Sequence, residues 1–186
     1  MAKPKLVSES QVTLVQLMEI TDANLAGLVH GGVIMKLVDT AAGLAAIKHA
    51  GGLCVTVSMD QMSFYAPVHV GDTVSVAASV NDVYTTSLEV GVRVESERLS
   101  TGTRTHTSSA YLVFVALDER GRPRPVRPIE AESPTELRRQ REAKIRRETR
   151  LSHRKAIEAH RRGEPFEPEP ESIDRDDLHP PDHLRM

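Results

Sequence analysis

Residues 33–46, VIMKLVDTAAGLAA, form a run that is apolar except for Lys36, Asp39 and Thr40. A helix built from it has no wide polar face, so it must lie against other elements of the fold on most sides. The long β-like segments later in the chain supply such a cover. The helix is expected from about Gly32 to Ala50, stopped by Gly51 and Gly52, a pair suited to a helix C-terminus. Asp39 in its middle is costly if sealed in an apolar core, because an unpaired buried carboxylate is expensive. It either pairs with Lys36, or lies on an exposed stripe, or serves chemistry.

One strand is expected before the helix, in QVTLVQLMEI (11–20), and four after it. In LCVTVSMDQMSFYAP (53–67) the alternation runs Val55, Val57, Met59. In GDTVSVAASV (71–80) it runs Val74, Val76, Ala78, Val80, and in SLEVGVRVESE (87–97) Leu88, Val90, Val92, Val94. THTSSAYLVFVAL (105–117) ends in a continuous apolar run, as expected of an interior strand. Turn signals separate the runs at PVHVGD, NDVYTT and STGTR, and the prolines of DERGRPRPVRP close the domain. Strand, apolar helix, four strands: the expected class is α+β, an antiparallel sheet of about five strands wrapped around one long central helix.

The remainder differs in kind. The formal net charge of −2 divides into −3 over residues 1–132, +7 over 133–162 and −6 over 163–186. SPTE at 133–136 is a capping box with proline at the first helical position. It predicts a charged, basic helix with few apolar anchors (Leu137, Ile145, Leu151, Ile157). That helix is expected to be solvated or to fold back on its own chain. Nucleic acid is the less favoured partner, because the acidic tail nearly cancels its charge. Residues 163–186 are Pro-rich and acidic and read as extended or disordered. The expected divisions are thus 8–128, 129–162 and 163–186. The single cysteine, Cys54, allows no intrachain disulfide, and no stretch approaches a membrane span of about 20 apolar residues. With no signal-peptide pattern at MAKPKLVSES, the expected location is the cytoplasm.

Three features converge near the helix start. HGG at 30–32 places bare backbone N–H groups at a positive helix terminus, a setting able to hold a carbonyl oxygen as it becomes an oxyanion. His30 is a possible acid or base. Asn24 precedes them in a loop, where asparagine ordinarily makes a local turn hydrogen bond. Ala42 and Gly43 leave space beside Asp39, since a helical glycine costs roughly 1 kcal/mol relative to alanine and invites a reason.

DANLAGLVHGGVIMKLVDTAAGLAA resembles the hotdog-fold acyl-CoA thioesterases of the cytosolic acyl-CoA hydrolase type. Their pattern is Asn, then Gly, then an aromatic residue or His before Gly-Gly, then Asp seven residues after the second Gly. It falls here on Asn24, Gly27, His30-Gly31-Gly32 and Asp39. The similarity continues through VTVSMDQMSFYAPVHVGDTVSVAASV, TTSLEVGVRVESE and AYLVFVALDERGRPRPV, covering about residues 8–128. The resemblance implies hydrolysis of a fatty acyl-CoA to free acid and CoA. Asp39 would be general base or nucleophile, Asn24 would help position water or thioester, and the N–H near Gly32 would hold the thioester oxygen. It also implies that Asn24 and Asp39 meet across a homodimer interface, commonly within a hexamer of three dimers. The expected substrate contacts are His30, Gly31, Ala42, Gly43, Ser58, Phe64 and Ser87. Arg93, Arg104 and Lys48 are offered to the CoA phosphates. A thioester needs no metal, and no metal-ligand spacing or cofactor is expected. The alternatives are a related acyl-thioester enzyme such as a dehydratase, using His30, and a non-enzymatic acyl-CoA sensor whose basic helix contacts nucleic acid.

Overall fold

The computed structural model describes residues 3–163. Strand β1 (Lys5–Leu6) and a 3-10 turn lead into β2 (Val12–Leu17). Helix α1 (Gly31–Ala50) comes next, then β3 (Cys54–Phe64), β4 (Thr73–Val83), β5 (Ser87–Arg98) and β6 (Thr103–Ala116). A short β7 (Ile129–Glu130) precedes helix α2 (Pro134–Arg161). The five long strands form one antiparallel sheet in the order β2-β4-β5-β6-β3, the expected hotdog arrangement. β6 is interior, as its apolar run predicts.

α1 packs Ile34, Val38, Ala41, Ala42, Ala45 and Ala46 against the inner face of the sheet, where Val76, Val90, Leu112 and Phe114 are fully or nearly fully buried. The 3-4 spacing of those helix residues is one face of a helix. Outside that face the helix is open, with Met35 on one flank and Leu44 and Ile47 round the far side 40–43% exposed. Within one chain the helix is therefore covered on one face only, less than its composition predicts. Gly51 closes it at φ 69°, donating its N–H to the Ile47 carbonyl. This left-handed position favours a residue without Cβ.

β3 departs from simple alternation. Its register with β6 shifts between Thr56 and Ser58 and again between Met59 and Gln61, so Val57 and Asp60 are bulged residues. Each bulge exchanges the sheet faces of the residues beyond it. Val55 and Val57, expected to share a core face with Met59, are 38% and 54% exposed instead.

β1 pairs in parallel with β7, joining residues 5–6 to 129–130 across the expected limits of 8 and 128. The 129–162 segment folds back on its own chain, one of the two expected outcomes: α2 lies on the outer face of the sheet. Ser133 caps it by accepting the Glu136 N–H, and the Glu136 carboxylate accepts the Ser133 N–H, as the capping box predicts. The buried Ala143 lets the helix approach, and Tyr84 Oη donates to the Ala143 carbonyl. Apart from residue 163, the expected Pro-rich acidic tail lies outside the described residues.

Candidate active site

Asp39 stands on the open stripe of α1 and is exposed in the single chain. It has not paired with Lys36. Thr56 Oγ1, one strand away at the start of β3, donates to Asp39 Oδ1 at 2.7 Å. This bond leaves Oδ2 free to accept a proton or attack a carbon. The Thr56 hydroxyl is the contact of Asp39 that residue patterns alone do not reveal. Its signal was a polar side chain inside LCVTVSM, which alternation assigns to a solvated face.

Asn24 is held in a tight loop. Its Oδ1 accepts the N–H groups of Ala26 (2.9 Å) and Leu28 (3.2 Å), and its own N–H donates to the Leu28 carbonyl at 2.7 Å. Gly27 turns the chain there at φ 75°. These bonds fix the carboxamide orientation and leave the Nδ2 hydrogens as what the side chain offers a ligand. Asn24 lines a cavity of about 180 Å³ together with Gly31, Ile34 and Phe64. Asn24, Gly31 and Phe64 are thus brought together, but Asp39 is not among the residues lining that cavity. Eight residues of helix separate Gly31 from Asp39, about 12 Å, and no hydrogen bond joins Asn24 to Asp39 within the chain among the described residues.

His30 is the N-cap of α1. Its Nδ1 accepts the Gly32 N–H at 2.8 Å, an unusual cap of the loose N–H groups at a helix start. The Gly32 N–H, expected to hold a thioester oxygen, is bonded to its own N-cap within the chain. His30, with Nδ1 committed as an acceptor, has only Nε2 for acid–base work, which weakens the dehydratase alternative. The cap also explains Gly32, since a Cβ there would lie 2.9 Å from His30 Nδ1.

The other expected contacts disperse. Ala42 is fully buried in the core of its own chain and lines no open slot, because it shares the packed face of α1 with Val38 and Ala46. Gly43 faces the Phe114 ring, and a Cβ there would meet it at an ordinary 3.7 Å. Ser87 pairs with Val115, and alternation puts it on the sheet face opposite the fully buried Leu88, away from α1. Ser58 donates to Asp60 Oδ1 at 2.7 Å and lies beside α2. Arg93 pairs with Glu95 and Arg104 with Glu97, each at 2.8 Å, at the outer face and far end of the sheet. Lys48 donates to the Gln11 carbonyl. None of these five polar side chains converges on Asp39.

Residues 26–103 match the model of the thioesterase superfamily. An acyl-CoA thioester hydrolase of Bacillus subtilis, YkhA, described as uncharacterized, is 35% identical over 133 residues, 72% of this chain and 77% of that protein. The chain belongs to the thioesterase superfamily. A hexameric acyl-CoA thioesterase solved without ligand is 36% identical with a TM-score of 0.78, covering 80% of this chain and 97% of that one. An acyl-CoA hydrolase of Staphylococcus aureus, solved with butyryl coenzyme A, coenzyme A and coenzyme A disulfide, is 31% identical with a TM-score of 0.78 over 86% and 96%. This chain is a hotdog-fold thioesterase.

Proposed function

We propose that the chain hydrolyses acyl-CoA thioesters to the free acid and CoA, using Asp39 either to activate water or to attack the thioester carbon. The observation that carries this is the Thr56–Asp39 hydrogen bond, which holds an exposed carboxylate on an otherwise apolar helix. The Staphylococcus aureus hydrolase has been solved with alanine in place of an asparagine, an aspartate and a threonine, spaced 15 and 17 residues apart. Asn24, Asp39 and Thr56 have the same spacing. A fixed carboxylate close to the reacting carbon serves as base or nucleophile, and general-base help alone contributes about 10²–10⁴-fold. The first-turn N–H groups of α1, Gly31 foremost, would stabilise the developing oxyanion. The reading calls on no cofactor, CoA being part of substrate and product.

Because Asn24 and Asp39 lie apart in one chain, the reading includes a second copy that supplies the missing half. β3 is an edge strand with Val55 and Val57 exposed, flanked by the apolar stripe of α1. An open strand edge beside apolar surface favours pairing with another chain. A two-fold dimer through this edge, assembled as three dimers, accords with the hexameric neighbour. The proposed location is the cytoplasm; among the described residues no helix is long and apolar enough to cross a membrane.

The test is release of free thiol from a panel of acyl-CoAs by the wild type and by Asp39→Ala. The variant should lose about 10²-fold or more in kcat. Equal rates for the two proteins would contradict the proposal.

A further inference from the structure

α2 lies outside the segment that matches the superfamily, residues 26–103, yet it is bonded to the strand that carries Thr56. Arg150, in the middle of α2, forms an ion pair with Asp60 Oδ2. The Asp60 side chain is only 9% exposed, and Asp60 is the second bulged residue of β3. Its other oxygen, Oδ1, accepts from Ser58 Oγ at 2.7 Å. Ser58 comes directly after the first bulge, Val57, and on the other side of that bulge stands Thr56, whose hydroxyl holds Asp39.

The contacts therefore run without a gap from α2 to the reacting carboxylate: Arg150, Asp60, Ser58, the Val57 bulge, Thr56, Asp39. A bulged strand has more than one way to place its extra residue, and each choice rotates the neighbouring side chains. Within the chain β3 is held by β6 on one side only, and its ladder skips Val57 and Asp60, so the placing of these two residues rests on side-chain contacts as well as on strand pairing. A buried carboxylate that must meet both an arginine and a serine removes the freedom, because leaving either oxygen without its donor is costly.

We infer that Arg150 is a positioning residue for thioester hydrolysis: through Asp60 and Ser58 it fixes the bulges of β3 and thereby aims Thr56 at Asp39. The inference rests on the thioesterase reading. It gives α2 a role in the active site although the helix touches no reacting atom.

The experiment compares steady-state hydrolysis of one acyl-CoA by the full-length wild type, Arg150→Ala, Arg150→Lys, Asp60→Asn, Thr56→Ala and the Thr56→Ala/Arg150→Ala double variant. Arg150→Ala should lower kcat by about tenfold with KM changed less than about threefold, the pattern of a misaimed group rather than a lost binding contact. Arg150→Lys should recover part of the loss. Asp60→Asn should resemble Arg150→Ala, which keeps the inference testable if one variant folds poorly. The double variant should be no slower than Thr56→Ala alone, since both changes break one chain of contacts. A wild-type kcat in both Arg150→Ala and Asp60→Asn, or losses that simply multiply in the double variant, would overturn the inference. A wild type that releases no thiol would instead defeat the thioesterase reading itself, so the two failures are distinguishable.

Discussion

The two faces of the sheet are covered by two helices in opposite ways. The inner face meets α1 through Val, Leu, Ala and Phe, with Val38, Ala41, Ala42, Leu88, Val90 and Leu112 fully buried and no charge between them. The outer face meets α2 through ions and rings. Arg146 donates twice to the fully buried Glu89, at 2.7 and 3.2 Å, and Asn81 donates to the same carboxylate at 3.0 Å. The Arg146 guanidinium also lies 3.6 Å from the Tyr111 ring centre, and that of Arg147 4.3 Å from Tyr84. Gln140 donates to Asp82, and Arg150 pairs with Asp60. Burial and the negative charges of Asp82 and Glu89 push the Tyr84 hydroxyl up to about 12, so it stays protonated and bonds the Ala143 carbonyl.

The difference separates stability from specificity. Apolar contact on the inner face is non-directional and holds the fold together. Buried ion pairs contribute little net stability but are costly to break singly. The outer face thus sets where α2 sits and, through β3, how the site is aimed.

The largest effect that sharpens this contrast is expected at Glu89. Glu89→Ala strands Arg146 and should destabilise by about 3–5 kcal/mol, whereas Glu89→Leu with Arg146→Leu should return close to wild type. Chemical denaturation of both checks it; a harmless single change would show that the outer face carries no structural ion pair. On the inner face Ile34→Val, which only removes a methyl group, should cost about 1 kcal/mol.

A smaller effect concerns pH. His49 is 1% exposed at the end of α1; its Nε2 bonds the Arg127 carbonyl at 2.8 Å, while its Nδ1 is buried without a partner. Burial pushes its pKa below the ordinary value of 6.5, the Arg127 bond opposing. The unfolded chain therefore takes up this proton at higher pH than the folded one. Stability is fully present at neutral pH and falls as pH drops through and below about 6.5. Thermal melts between pH 7.5 and 5 should show the loss, and His49→Gln should flatten it. An equal slope in both would show that His49 does not set the pH dependence.

How much of the molecule was legible in the chain depends on whether a feature is local or long-range. The five long strands and α1 are local patterns of period 2 and 3.6, and they lie where the sequence puts them. The β3 bulges escaped because one inserted residue inverts the alternation with no residue type to mark it. Asp39 stood out as a carboxylate in an apolar run, but Thr56 did not, since its meaning depends on a helix residue 17 positions earlier. Glu89 reads as a solvated position in SLEVGV because Arg146, which buries it, comes 57 residues later. Ser58 and Ser87 were carried over from the resemblance and Arg93 and Arg104 chosen by charge; the chain's own pairing, with Asp60, Glu95 and Glu97 for Ser58, Arg93 and Arg104, is long-range or register-dependent and has no mark in the sequence.

A site that takes Asn24 from one chain and Asp39 from another can be taken apart and rebuilt by subunit mixing. Asn24→Ala and Asp39→Ala are made separately, each expected to be nearly inactive, then co-expressed or refolded together. In a two-fold dimer the mixed species carries one doubly altered site and one intact site, so random pairing should restore about a quarter of wild-type activity. A mixture that contains verified mixed dimers and yet stays as inactive as its parents would contradict a site shared between chains.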